Sequence, residues 1–429
     1  MAFDMERLPG FRDFYPEPAP HPDLWSADAR QFVFERWRAT ARRYGFREYD
    51  GPPLEPLELY TLKSGEEIVG QLYNFIDKGG RSVALRPEMT PTLARMAAAH
   101  ERNYKKPLKW FAIPQLFRYE RQQKGRLREH FQFNADILGE AGPAADAELI
   151  ALLIDALKAF GLTQEDFEVR VSSRDVWREF FTMSNLDESK SYEFFQIIDK
   201  LDRQEDSLSA TKLAALNISY EEVLRFIDTS APTQQISLIT ENLAARDLRK
   251  FVRVDYGVIR GLAYYTGTVF EAFDLKGKFR AIAGGGRYDN LLDLISGGKV
   301  DLPALGFGMG DVVLLELLKA RGLLPKFDGP IEFFYLIEDE TLRAESLRRV
   351  QHWRDQGHAV EYPLTPAKPD KQFKRAQELK ARFILRLERA AGGQLAEKRK
   401  DPATRAEEVA DILTVGRDSG GAHRMGNTW

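Results

Sequence analysis

The sequence predicts a mixed α/β protein. Its core is α+β, strands and helices together, interrupted by a helical insertion and followed by a small α/β domain. Three observations carry this. Strand-like segments recur from about residue 69 to 140 and again after 251. A polar, mostly helical tract, SSRDVWREFF through ENLAARDLRKF, separates those two stretches. Beyond PKFDGP, near 325–330, strand and helix patterns alternate one for one.

Taken in order, residues 27–44 (ADARQFVFERWRATARRY) present Phe32, Phe34, Trp37 and Ala41 at helical spacing, and Gly45 stops the helix. The prolines of GPPLEPLELY fit an extended edge. Strands and one helix, TPTLARMAAAHE, fill 69–140, and LKWFAIPQLFR and HFQFNADIL form a long hairpin around Gly125. PAADAELIALLIDALKAF (143–160) is a helix entered after Gly-Pro. Residues 173–250 are the insertion, which leaves 1–172 and 251–326 for the core. Strands resume in FVRVDYGVIRGLAYYTGTVFEAFDL, RAIAGGGRYDNLL and PALGFGMGDVVLLELLKARGLLP. From 330 to 415, IEFFYLI, TLRAESLRRVQHWRDQG, AVEYPL, DKQFKRAQELK and RFILRL read strand, helix, strand, helix, strand. The tail 416–429 is expected to be flexible.

Composition narrows the function classes. With 62 Lys and Arg against 65 Asp and Glu, the net charge is -3, so nucleic acid would be met by a local patch. The absence of cysteine excludes disulfides, thiol nucleophiles and thiolate metal sites. The six histidines show no H-E-x-x-H spacing, so no metal site is assigned. No stretch of about 18 apolar residues occurs, and MAFDMERLPGFRDF lacks a cationic segment followed by an apolar run. A cytoplasmic protein without membrane contact is expected.

FRYERQQKGRLREHFQF (117–133) crowds Arg118, Arg121, Lys124, Arg126 and Arg128 into eleven positions. In HFQFNADIL, period-two alternation puts Phe131, Phe133, Ala135 and Ile137 on one face. His130, Gln132, Asn134 and Asp136 share the other. Four polar residues destabilise a buried strand unless that face is wet or binds a ligand. On this stretch alone the two readings weigh equally.

Other segments add to it. LRPEMTPTLAR sets Arg86 and Glu88 ahead of a helix, and a regular strand through VIRGLAYYTGTVFEAF would align Arg260, Leu262 and Tyr264. The glycines of AIAGGGRYDNL (284–286) and GFGMGDVV (306, 308, 310) let a ligand or backbone approach closely. There is no G-x-x-x-x-G-K-[ST], and no G-x-G-x-x-G in a strand-to-helix turn, so neither a P-loop nor a Rossmann site is supported.

The set RPEMT, FRYERQQKGRLREHFQFNADILG, RGLAYYTGTVFE, AGGGRYDNL and PALGFGMG resembles the histidyl-tRNA synthetase family of class II aminoacyl-tRNA synthetases, over roughly residues 6–415. YGFREYDGPPLEP resembles the first class II motif, which in that family builds the dimer interface. FRYER through ADILG resembles the second motif, and GFGMG the start of the third. The resemblance implies a class II antiparallel sheet, a C-terminal anticodon-binding domain at 330–415 and a homodimer. It also implies ATP-dependent activation of histidine and transfer to tRNA(His), with ATP as substrate, Mg2+ beside it and no prosthetic group.

Residue roles follow from the same resemblance. Arg118 holds the α-phosphate and the substrate carboxylate, and Arg260 is the additional catalytic arginine. Glu120 accepts from the adenine amino group and Arg126 reaches the terminal phosphates. His130 stands where the family offers a ring under adenine, although it equally suits a structural hydrogen-bonder. Gly308 and Gly310 lie beside the nucleotide. Glu88 and Thr90 take the ammonium group, with Met89 between them in the histidine site. Gln132 and Asp136 read the amino acid from the polar strand face. Tyr264 and Tyr265 close the imidazole pocket, a packed core tyrosine being an equal reading for Tyr265. Carboxylate attack on a phosphate piles up negative charge, so positioned cations are what a protein can offer.

Three positions depart from the family. Val313 replaces an arginine three residues after the last glycine of the third motif, and Arg287 is the candidate substitute. Ala263 stands where aspartate is frequent, and Asp136 where the imidazole-reading residue is a glutamate. The alternative reading is a histidine-binding regulatory paralogue, the regulatory subunit type of ATP phosphoribosyltransferase. That paralogue usually lacks the C-terminal domain and the catalytic arginines. A third reading, a module sensing uncharged tRNA, would sit inside a longer polypeptide. In DKQFKRAQELKARF, burial of Phe373, Ala376 and Leu379 would leave Lys371, Lys374 and Lys380 for tRNA phosphates.

Overall fold

The computed structural model describes residues 7–64, 66–119, 127–184, 190–201, 204–260, 264–277, 281–327, 331–389, 394–402 and 406–409. Two compact units emerge. One comprises residues up to Tyr15 and Leu24–Pro325, the other Pro16–Asp23 and the residues from Lys326 onward.

The first unit is organised by one large sheet. Its strand order is Val252–Val254, Phe167–Ser173, Thr268–Asp274, Ala283–Arg287, Ala304–Gly310, Glu129–Leu138, Leu108–Ala112, Arg47–Glu48. All interior neighbours pair antiparallel, and the two edge strands join parallel. Gln115–Phe117 adds a short antiparallel rung at the start of Glu129–Leu138. The sheet is the antiparallel one predicted.

Two helices cover the face that carries Phe131 and Phe133. Helix Ala27–Arg43 buries Val33, Phe34 and Trp37; Trp37 stacks on Phe133 and Phe34 meets Phe131 edge-on. Val33, which the apolar spacing overlooks, is fully buried, whereas Phe32 is half-buried. Helix Pro143–Lys158 starts on a proline after an extended Gly142, the position where a missing N–H costs nothing. It is apolar nearly all round because it is buried nearly all round.

Between Phe167–Ser173 and Val252–Val254 the chain builds helices Arg174–Met183, Ser191–Ile198, Asp206–Ala215, Tyr220–Thr229 and Gln234–Ala245. They enclose a core of their own that includes Trp177, Phe194, Val223 and Ile236.

Two local readings need correction. GPPLEPLELY is extended only at Leu54–Pro56, and helix Glu58–Ser64 follows. Beyond Pro56 nothing restrains ELYTLK from a helix. The segment through Arg260 and Tyr264 is not a regular strand either. Among the described residues one strand ends at Val254 and the next begins at Thr268, and Arg260 has φ +54, which no strand residue adopts. Leu262 lies outside the described residues.

The second unit has a five-stranded sheet in the order Val360–Glu361, Phe333–Leu336, Phe383–Arg389, Leu395–Lys400, Glu407–Val409. The first three strands run parallel and the last two return antiparallel. Helices Arg343–Asp355 and Pro369–Glu378 connect the parallel part. The two final strands were not foreseen, because LAEKRK reads as a charge run; pairing turns Glu397 inward, where it accepts from the Tyr335 hydroxyl at 2.8 Å. Phe373, Ala376 and Leu379 do form the inward stripe, and Lys371, Lys374 and Lys380 are exposed. The tail 416–429 lies outside the described residues. Among the described residues no helix is long and apolar enough to cross a membrane.

Candidate active site

Two adjoining cavities lie on the face of the large sheet opposite the covering helices. The larger, about 640 Å³, is lined by His130, Arg170, Asp199, Glu271, Phe273, Gly310 and Val313 among others. The smaller, about 70 Å³, is lined by Glu88, Thr90, Asn134, Asp136, Tyr264, Tyr265 and Tyr288 among others. Arg118, Gln132, Arg260, Gly284 and Gly308 line both.

Strand parity explains this membership. His130, Gln132, Asn134 and Asp136 share one face of Glu129–Leu138, as the alternation predicts. The register sets Gly306 opposite Asp136, Gly308 opposite Asn134 and Gly284, and Glu271 opposite both Gly284 and Arg170. A Cβ on Gly284 would overlap the Arg260 guanidinium, and one on Gly306 would overlap the Asp136 carboxylate. A Cβ on Gly308 would come 2.6 Å from the Gln132 amide carbon. The glycines thus make room for the site's own side chains.

Arg118 follows the Gln115–Phe117 strand, and its Nε donates to the Pro87 carbonyl at 3.1 Å. Arg260 donates from Nη1 to Glu271 Oε1 at 2.6 Å, while its buried Nε has no hydrogen-bond partner among the described residues. An unsatisfied buried donor is costly, and a ligand oxygen would relieve it. Burial opposes the Arg260 charge, but Tyr265 and Glu271 outweigh it and hold the pKa above the ordinary arginine value.

In the smaller cavity the Tyr264 hydroxyl donates to Glu88 Oε2 at 3.3 Å. Burial raises the Tyr264 pKa well above the usual phenol value, so it stays a neutral donor. Tyr265 is buried beside it, ring centroids 4.8 Å apart, and is at once packed and a cavity wall. Asp136 is 3% exposed and accepts from the Tyr288 hydroxyl at 2.6 Å. Burial pushes its carboxyl up to about 7, with the Tyr288 bond pulling the other way. A group poised there titrates in the same range as an imidazole.

Some predicted residues fall elsewhere. Arg287 does not substitute for the cation absent at Val313. It sits on the opposite sheet face, 3% exposed, with contacts of 2.6–3.1 Å to the Asp146 carboxylate and further bonds to the carbonyls of Glu140 and Gly142. Residues 284 and 286 share the cavity face, and parity sends 287 to the back. Val313 itself faces the larger cavity, whose lining cations are Arg118, Arg170 and Arg260 among the described residues. The Met89 side chain is fully buried with its sulfur 3.7 Å from Arg86 Nη1, and it lines neither cavity. Glu120, Arg126 and Ala263 lie outside the described residues.

Sequence reasoning missed three contributors. Glu271 anchors Arg260 and Tyr288 anchors Asp136, while Asn134, already placed on the polar strand face by the alternation, lines the smaller cavity. Arg170 lines the larger one, paired with Glu168 at 2.8 Å and Asp255 at 3.3 Å and lying over the Phe273 ring. Alternation along FEVRVSS and TVFEAFD was the available signal for Arg170 and Glu271. Tyr288 had none.

The family model described as Histidyl-tRNA synthetase matches residues 21–311. A protein from Opitutus terrae named Histidine--tRNA ligase is 45% identical over 402 residues, 89% of this chain and 90% of that one. The crystal structure of a histidyl-tRNA synthetase from a Nostoc species aligns with a TM-score of 0.73 at 22% identity, covering 90% of this chain and 94% of the other. A Bacillus halodurans structure described as an ATP phosphoribosyltransferase regulatory subunit/histidyl-tRNA synthetase aligns at 0.71 and 20%, covering 90% and 99%. At those identities the two structures speak to the fold alone. The family model and the 45% identity decide the rest: the chain belongs to the histidyl-tRNA synthetase family.

Proposed function

We propose that the chain is an ATP-dependent histidine–tRNA ligase working in two steps on one site. First, the carboxylate oxygen of histidine attacks the α-phosphorus of ATP, forming histidyl-adenylate and releasing pyrophosphate. Second, the 3′-terminal ribose hydroxyl of tRNA(His) attacks the adenylate carbonyl, forming the aminoacyl ester and releasing AMP. One observation carries the reading: Arg118 and Arg260 line both cavities. A carboxylate in the smaller cavity and a phosphate in the larger then meet between two guanidiniums, where the negative charge accumulates.

Around that junction Glu88 and Thr90 receive the ammonium group, with Met89 reduced to a backbone role. Gln132, Tyr264 and Tyr265 enclose the amino acid, and Asp136 accepts from the imidazole. His130, Gly308 and Gly310 flank the nucleotide, while Glu120 and Arg126 serve the adenine and the terminal phosphates. Bound Mg2+ would neutralise part of the phosphate charge. Among the described residues no group of three or more His, Asp or Glu could hold a metal alone, so the fit is one or two cavity carboxylates, Glu271 and Asp199, plus waters.

The same reading gives a cytoplasmic homodimer built partly from residues 44–60, supported by apolar exposure at Leu54, Phe75 and Ile76 on the small sheet of Leu54–Pro56, Ser82–Leu85 and Asn74–Ile76. Residues 1–172 and 251–326 are the catalytic core, 173–250 the insertion, and 330–415 the anticodon-binding domain.

The test is exchange of pyrophosphate into ATP, expected with histidine and with no other standard amino acid. Well-folded protein that binds histidine but gives no exchange would move the reading to the regulatory paralogue.

A further inference from the structure

We propose that Arg174 is the positioning residue for Arg260 and, through it, ties the helical insertion to amino-acid activation. This rests on the role given to Arg260 above.

Arg174 opens helix Arg174–Met183, directly after strand Phe167–Ser173, and is 4% exposed. All its guanidinium nitrogens donate to backbone carbonyls: Nε to Ile259 at 3.3 Å, Nη2 to Arg260 at 2.6 Å and Nη1 to Tyr265 at 2.9 Å. The contacts bracket the segment that bears Arg260. Burying a guanidinium is costly, and here burial pulls its pKa down to about 10, still charged at neutral pH.

Its neighbours on the same helix face act alike. Trp177 Nε1 donates to the Tyr256 carbonyl at 3.0 Å, Arg178 Nη1 to that of Thr266 at 3.2 Å, and the Arg174 amide to that of Gly267 at 3.0 Å. Positions i, i+3 and i+4 thus form a stripe of donors aimed at one irregular segment. That segment needs holding, because Arg260 adopts φ +54, a left-handed conformation unfavourable for a residue with a side chain. Arg174 fixes its carbonyl, while Glu271 and the space above Gly284 fix its guanidinium. On its other side the Arg174 guanidinium lies 4.9 Å from the ring centre of Phe195, on insertion helix Ser191–Ile198. The residue following that helix, Asp199, lines the larger cavity. One side chain therefore links the insertion to the catalytic arginine.

The test is a double-mutant cycle on the full chain, read by histidine-dependent pyrophosphate exchange. Arg174→Lys keeps the charge but cannot reach three carbonyls. It should lower kcat about 10- to 100-fold, with KM for ATP and for histidine within about twofold. In the Arg260→Ala background the same change should alter kcat by less than about twofold. An equal loss in both backgrounds, or a rise in KM without a fall in kcat, overturns the proposal. Full activity of Arg260→Ala alone would instead overturn the role of Arg260 itself, and this proposal with it. Should Arg174→Lys lose its circular-dichroism signature, Phe195→Leu runs the same cycle. It removes the ring and leaves the hydrogen bonds, with about a threefold loss expected in wild type and none beside Arg260→Ala. Equal losses again overturn it.

Discussion

The two faces of the large sheet each hold an arginine paired with a carboxylate, and the arginines are treated in opposite ways. On the back face Arg287 is saturated by Asp146 and two carbonyls. On the front face Arg260 has, among the described residues, one carboxylate partner and an orphan Nε beside a cavity. The difference teaches how to tell a structural cation from a catalytic one. Each carries one charge and faces a carboxylate, but the Arg260 side chain is 20% exposed against 4% for Arg287, and the donors of only one of them are already satisfied.

That contrast can be broken by substitution. Arg287→Ala should act on stability. It strands Asp146, whose carboxyl burial already pushes up to about 6, and should cost about 3–5 kcal/mol in denaturant unfolding. The kcat per folded molecule should hold. A collapse of kcat with unchanged stability would erase the distinction between the faces.

Arg260→Ala should do the reverse. Pyrophosphate exchange should slow by about 10²–10³, the scale for losing one preorganised donor, while the denaturant midpoint moves less than for Arg287→Ala.

Asp136 sharpens the comparison through pH. Its pKa of about 7 means that it takes up a proton as pH falls through neutrality and stops accepting from the substrate imidazole. The KM for histidine should therefore rise on acidification, by up to about tenfold per unit below the midpoint. Free histidine titrates nearby, so Tyr288→Phe is the control. It removes the hydrogen bond that lowers the Asp136 pKa and should move the midpoint upward, which titration of the substrate cannot do. A midpoint that stays put would take Asp136 out of imidazole recognition.

The smallest effects belong to cations that neither face employs. Lys371, Lys374 and Lys380 are exposed on the second unit. Each alanine variant should flatten the salt dependence of tRNA charging by about one unit of slope and leave the exchange rate untouched. Slopes equal to wild type for all three would remove this helix from tRNA binding.

How far the sequence could be read follows from which physical signal each residue emits. The polar stripe His130, Gln132, Asn134 and Asp136 was legible because a strand alternates with period two and these residues break the apolar expectation on one side only. Arg118 and Arg260 came from motif company. Arg287 was misjudged although parity with Gly284 and Gly286 was available to exclude it. The irregular path through Arg260 could not be read, since a left-handed φ at an arginine leaves no mark on composition. Tyr288 was invisible for a related reason, since it meets Asp136 through a fold contact 152 positions away in the chain, whereas Glu271 stood in the alternation of TVFEAFD and went unread. Val313 was noticed as a lost cation, and the structure finds it as apolar cavity wall.

The glycine floor has a consequence for redesign. Gly284, Gly306 and Gly308 leave the main chain itself as the boundary beneath Arg260, Asp136 and Gln132. A pocket bounded by side chains can be enlarged by trimming them, but one bounded by bare peptide has nothing left to trim. Any engineered preference for a larger amino acid must therefore come from the walls at Tyr264, Tyr265 and Tyr288. Mutation at the floor can only subtract room.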